Sequence, residues 1–267
     1  MSTGRRSDKR LRRYVGLAMV LAAREFPGSY RGNATGALAA VVVPIAMLSV
    51  YSFVFSTVIP VRLESARFGP SYTLFLFSGL MVWNLFADVV IRGPRLFVGS
   101  SNYVRRPQFP VSILVVAPCV AGFYRSIPWF LAYTGAHWFV IGELSWWLLA
   151  IPPVLAVACV LTFGVALILA SVGAFVRDVA DFIQPIVTLL FFLSPVLYPA
   201  SRIAEHADWV LLANPLAPIL QAVRDLTFTH AFPEAPALMH MGVMTTGSLV
   251  VGLLIFRVAR GSLADIL

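Results

Sequence analysis

Lysine is nearly missing from this chain: Lys9 stands alone among 20 basic residues, and the other nineteen are arginine. A phosphate-binding loop of the form G-x-x-x-x-G-K-[ST] needs a lysine after its last glycine. Lys9 follows Asp8, so the chain has no such loop of its own. Charge of either sign is scarce as well, at 12% of 267 residues, where a soluble domain carries about a quarter. No H-E-x-x-H and no G-x-S-x-G occurs, and His137, His206, His230 and His240 fall at no metal-ligand spacing. An intramembrane enzyme would therefore lack both nucleophile and metal. Cysteine is limited to Cys119 and Cys159, each inside an apolar run, where two small buried hydrophobes are expected before a disulfide.

What the chain does have is apolar surface. A hydrophobic fraction of 59% and a mean hydropathy of +0.85 describe an all-α polytopic membrane protein. Its length leaves room for about six spans and no separate soluble domain. A net charge of +8 would suggest nucleic acid in a soluble chain. In a membrane chain it reports topology, because Lys and Arg gather in cytoplasmic loops, and no nucleic-acid partner is expected.

Residues 1–36 read as cytoplasmic and interfacial. Arg5 to Arg13 followed by apolar Tyr14 to Ala23 has the outline of a signal peptide. The short core and the immediate Arg24-Glu25 favour an uncleaved helix lying on the membrane face over 14–26. Gly28, Gly32 and Gly36 have the spacing of a helix-packing motif, but Tyr30, Arg31 and Asn33 between them favour a flexible elbow. Spans are predicted at about 37–59, 72–91, 111–138, 151–176, 182–199 and 238–256. Pro44 bends the first, and Pro152-Pro153 suit the first turn of the fourth. The loop from Gly93 to Pro110 is long enough for a short amphipathic helix. With a cytoplasmic amino terminus, the inner segments hold fifteen basic residues and the outer ones four (Arg62, Arg67, Arg202, Arg224), so both termini are placed in the cytoplasm.

Charges within spans each cost about 3 kcal/mol at a helix centre on insertion scales. Asp88 falls near a span end. Arg125 falls near the middle of the third span, and it either snorkels outward or faces an interior cavity where an anionic group could meet it. Counting from opposite faces separates Asp88 and Arg125 by roughly 15 Å in depth, so no direct contact is expected. Carboxylates at span ends do not suit a proton-coupled transporter, which places them deep.

The fifth stretch opens on a charge cluster (Arg177, Asp178, Asp181), crosses without charge, and is broken by Ser194-Pro195 and Pro199 before a further turn at Asn214-Pro215. Pro195 should free the carbonyl of Phe191. Tyr51, Phe53, Phe55, Phe191, Phe192 and Tyr198 concentrate in the first and fifth spans. Such rings can stack on sugars, although helix packing is the ordinary use of each.

Several blocks resemble one family. They are Tyr30-Arg31 with Gly36-Ala37-Leu38 and Pro44; Phe77-Ser78-Gly79-Leu80 with Trp83-Asn84; and Asn102-Tyr103-Val104-Arg105-Arg106 before Phe109-Pro110. The most specific block is Arg177-Asp178-Val179, then Phe192 to Pro199, then Asn214-Pro215-Leu216. In this order they resemble the permease subunit of ABC-2 type polysaccharide exporters, the group handling O-antigens, teichoic acids and capsular polysaccharides.

That resemblance implies a homodimer of six-span subunits in a bacterial cytoplasmic membrane, paired with two copies of a separate ATPase that binds ATP and Mg. This chain would then hold no cofactor and no metal, and would not itself be an enzyme. It implies that Phe97, Tyr103, Arg105 and Arg106 couple to the ATPase, and that the first and fifth spans line a conduit. Tyr51, Phe53, Phe55, Arg125, Phe191, Phe192 and Tyr198 are the conduit candidates. Ser201 to Thr229 would fold back as re-entrant helices on the outer side, with Ser194, Pro195, Pro199, Asn214 and Pro215 as gate and breaks. The expected function is export of a lipid-linked glycan. An exporter of a drug or lipid, and an ion-coupled transporter, are the alternatives.

Overall fold

One helix, α2 (Tyr72–Arg92), is buried along almost its whole length, and the other elements pack around it. Its first four turns carry no charge, and the first charged group is Asp88. Arg92 closes the helix at the end where the macrodipole favours a cation. The computed structural model describes residues 14, 16–22, 35–54, 72–105 and 109–266, and the described residues form helices and turns with no strand among them. The elbow glycines at 28 and 32, together with Phe55 and Arg106, lie outside the described residues.

Around α2 stand α1 (Thr35–Phe53), α3 (Ile113–Ile141), α4 (Ile151–Phe175) and α5 (Val179–Leu193). Two shorter helices follow, α6 (Ala200–Ala213) and α7 (Ala217–Arg224), and α7 continues as a π turn over Asp225–Thr229. The chain closes on α8 (Ala235–Ile266). Among the described residues, four helices are long and apolar enough to cross a membrane: Tyr72–Arg95, Ile113–Ile141, Trp146–Phe175 and Ala235–Leu263. Val42–Phe53 and Val179–Leu193 are shorter apolar helices. Residues 16–22 are helical, and Ala22 packs on Ala117 and Ala121 of α3.

Three fully buried hydroxyls of this apolar bundle are satisfied on their own helices. Ser78 donates to the Phe75 carbonyl, Thr162 to Ala158 and Ser171 to Leu167, so no polar group of theirs faces hydrocarbon unpaired. Pro152 and Pro153 occupy the first turn of α4 as predicted. The backbones of α4 and α8 approach each other very closely. A Cβ on Gly164 would lie 2.5 Å from the Ser248 carbonyl carbon, and one on Gly252 would lie 2.5 Å from the Gly164 carbonyl oxygen. Only glycine lets two backbones meet at this distance.

Two boundaries differ from expectation. The helix in the fifth stretch stops at Leu193, where Ser194 turns extended, and does not run on to 199. Pro195 therefore stands just beyond the end of α5 and, lacking an N–H, leaves the Phe191 carbonyl of the last turn without an i+4 donor. The last helix, Ala235–Ile266, starts slightly before 238 and runs well past 256.

Candidate functional site at the two ends of α5

The bundle has one end carrying Arg92, Arg95, Arg105, Arg177, Arg257 and Arg260, called here the basic end, and an opposite far end. After α2 the chain turns under the basic end through the short 3-10 segments Gly93–Arg95 and Val98–Ser100 and the helical turn Ser101–Val104. Pro94 lies so close to α4 that a Cβ on Gly173 would meet its carbonyl oxygen at 2.5 Å. Phe97 is fully buried, 5.8 Å from the Phe256 ring. Tyr103 is partly exposed and packs 5.2 Å from Phe109, and Arg105 is exposed. Of the four coupling candidates, then, Phe97 is a wedge beneath the loop while Tyr103 and Arg105 are at the surface. Asp181, in the first turn of α5, pairs with Arg95 at 3.3 Å, and Arg177 and Asp178 sit exposed in the preceding turn.

Along α5 itself only Ile183 and Val187 are buried. Phe182, Ile186, Leu189 and Leu193 form an exposed stripe at spacings of four, three and four, with Phe192 beside it. Phe191 turns inward onto Trp83, ring centroids 5.1 Å apart. On α1, Phe53 is exposed and Tyr51 half-buried against the core.

At the far end, the break in α5 is closed by side chains from three other segments. Asn214 donates from its amide nitrogen to Ser194 Oγ at 2.8 Å and to the Leu193 carbonyl at 3.4 Å, while its amide oxygen accepts from Leu216 N–H at 2.9 Å. Tyr72 donates to the Leu197 carbonyl at 2.6 Å, and Tyr198 donates to the Phe192 carbonyl. Arg224 donates from Nη2 to the Val196 carbonyl at 3.0 Å and is buried, with 1% exposure. Backbone carbonyls left without helical partners where α5 stops are thus satisfied locally. Ser194 and Asn214 belong to this clasp; Pro195, Pro199 and Pro215 shape its corners.

Arg224 was placed among the outer loop charges by the sequence. A signal existed: it stands four residues after Leu220 and seven after Ala217, on the apolar face of α7.

Arg125 pairs with Asp88 Oδ2, the carboxylate that also accepts from Arg92 at 2.9 Å. The expected depth difference is therefore wrong. Gly122 sits against Val89 and Leu85 of α2, so α3 begins about nine residues, roughly 13 Å, below that level. The first turns of α3 lie beside the basic-end loop, which brings Arg125 level with Asp88. The pair opens into a cavity of about 360 Å³ between α1, α2 and α3, away from α5.

No three His, Cys, Asp or Glu side chains converge as metal ligands among the described residues. Both cysteines are free, with Cys159 Sγ 3.4 Å from the Cys119 carbonyl oxygen.

Residues 17–228 match the family of ABC-2 type transporters. The chain belongs to that family. It is 29% identical over 260 residues to the O-antigen export system permease protein RfbA of Klebsiella pneumoniae, covering 94% of this chain and 95% of that one. The protein of the same description from Myxococcus xanthus is 27% identical over 263 residues, 96% and 97% of the two chains. The polysialic acid transport protein KpsM of Escherichia coli is 24% identical over 199 residues, 70% and 73% of the two.

As an ABC-2 family member the chain is a multi-pass membrane protein and a transport component. The matched region takes in both ends of α5, the basic-end loop and the far-end clasp.

Proposed function

We propose that this chain is the permease subunit of an ABC exporter that carries a lipid-linked polysaccharide across the bacterial cytoplasmic membrane. The observation that carries the reading is its alignment, nearly end to end, with O-antigen export permeases. ATP, with Mg, is hydrolysed on a separate ATPase, two copies of which serve a dimer of this chain. The basic end faces the cytoplasm, as the excess of arginine there favours, and both termini lie on that side. Six spans result when α1 and α5 are counted with the four long apolar helices, and α6 and α7 form the outer re-entrant pair.

In this reading the exposed stripe of α5 and the outward face of α1 meet their copies across the dimer and line the conduit, with Phe53 and Phe192 offered to the glycan. Tyr103 and Arg105, together with Arg106, receive the ATPase, and Phe97 transmits the push into α4 and α8. The Arg95–Asp181 contact passes it to α5.

Co-expression with the candidate ATPase followed by affinity purification tests the assignment, with glycan delivery to the cell surface as the second readout. Co-purification and loss of export on substituting Arg105 and Arg106 together are expected. Absence of any ATPase, with export unchanged in the double substitution, would overturn the coupling assignment.

A further inference from the structure

The cavity between α1, α2 and α3 is lined by polar groups for which the chain supplies no full set of partners. Asn84 and Asp88 stand one turn apart on α2, and Arg125, Ser126 and Trp129 come from α3. Val43 of α1, with Met81 and Leu85 of α2, gives it apolar walls. Asp88 Oδ2 takes both Arg92 and Arg125, while its Oδ1 accepts from none of the described residues. The Asn84 carboxamide and the Trp129 indole N–H likewise hydrogen-bond to none of them. Asn84 lies eight residues inside Arg92, about 12 Å along the helix, at a depth where an unpaired amide is costly.

We propose that this cavity binds one neutral pyranose ring. The spare groups select it. Two acceptors, Asp88 Oδ1 and the Asn84 side-chain carbonyl, stand with two kinds of donor, the Asn84 amide hydrogens and the Trp129 N–H. An anionic group would face both acceptors, and a cation would face Arg92 and Arg125. A ring of vicinal hydroxyls donates and accepts at once, and its C–H face suits Val43, Met81 and Leu85. The volume of about 360 Å³ is at the small end of ligand pockets, roughly 300–1,000 Å³, so it takes a single ring and no chain. The site stands apart from α5 and from the aromatic faces assigned to the conduit.

The use of such a pocket, reading one sugar of the exported glycan, rests on the permease assignment. The binding itself does not, and the test measures binding alone, so the two fail separately. The full chain is held in nanodiscs free of sugar-headed detergent, and saturation-transfer difference NMR is recorded with the methyl glycosides of glucose, mannose, galactose and rhamnose. Transfer to the ring protons of at least one glycoside is expected, with a dissociation constant of about 1–10 mM. Asn84→Leu has a similar volume and should weaken binding about tenfold. Its thermal unfolding should come no lower than the parent's, because the amide has no protein partner to lose. Trp129→Phe keeps a ring against Phe77 and should weaken binding about fivefold. Val43→Trp fills the cavity from α1 and should abolish binding with Asn84 left in place. No transfer to any of the four glycosides, binding unchanged in Asn84→Leu and Val43→Trp, tighter binding of the corresponding sugar phosphate or of glycerophosphoglycerol, or loss of binding in Phe192→Ala would each overturn it.

Discussion

The guanidinium carbon of Arg224 lies 3.6 Å from the centroid of the Phe75 ring, and the same side chain reaches the Val196 carbonyl. One buried cation thus ties α7 to α2 and to the broken end of α5. Arg224→Gln removes a desolvated cation–π contact of about 1–2 kcal/mol and a charged hydrogen bond of about 1.5–3 kcal/mol, offset in part by relief of a buried charge. A net loss of about 2 kcal/mol is expected from denaturation of the purified protein in detergent. Gly79→Ala should weaken the same joint, because its Cβ would sit 3.2 Å from both Arg224 Nη2 and the Val196 carbonyl oxygen.

Asn214 and Ser194 form the other half of that clasp. Asn214→Ala leaves the Leu193 carbonyl, the Leu216 N–H and Ser194 Oγ each short of a partner, and should cost about 2 kcal/mol. A double-mutant cycle with Ser194→Ala isolates the pair, with a coupling of about 1 kcal/mol expected and a value near zero counting against it.

The α4–α8 crossing divides the glycines sharply. Gly164→Ala and Gly252→Ala force backbones apart and should cost at least about 2–3 kcal/mol each. Gly242 and Gly247 lie in α8 with nothing within 4 Å of an added Cβ, and alanine there should raise stability by about 0.5–1 kcal/mol. Thermal unfolding of the four variants side by side checks the sign of each.

Arg95 and Asp181 are 70% and 76% exposed, so either alanine variant should shift stability by no more than about 0.5 kcal/mol. Export is the sensitive readout. Arg95→Asp should reduce it about tenfold if the contact transmits motion to α5, and adding Asp181→Arg should restore it. An unchanged export rate in Arg95→Asp would remove this contact from the coupling route.

Sequence periodicity and length located α2 and α4 well, because each is an uninterrupted apolar run bounded by charge or proline. The end of α5 was less legible. Ser194-Pro195 marks a break in any reading, but only the folded chain shows Asn214, Tyr72 and Arg224 arriving from distant segments to satisfy it. The Asp88–Arg125 pair was missed for a geometric reason. Depth counting assumes that every span starts at the same level, whereas α3 starts beside the basic-end loop. Arg224 was misplaced because eight residues of mixed polarity around it show no span, and its position on the apolar face of α7 speaks only once α7 is known to be a helix.

The glycine crossing also sets an order of events during biosynthesis. Gly164 enters the membrane some ninety residues before Gly252, an interval of about 5–18 s at about 5–20 residues per second. For that time the Gly164 face of α4 lacks the backbone that covers it in the folded chain, and α8 seals it only once Gly252 has followed. A chain cut short before α8 is made therefore keeps a bare backbone at Gly164 where the folded protein has a closed seam.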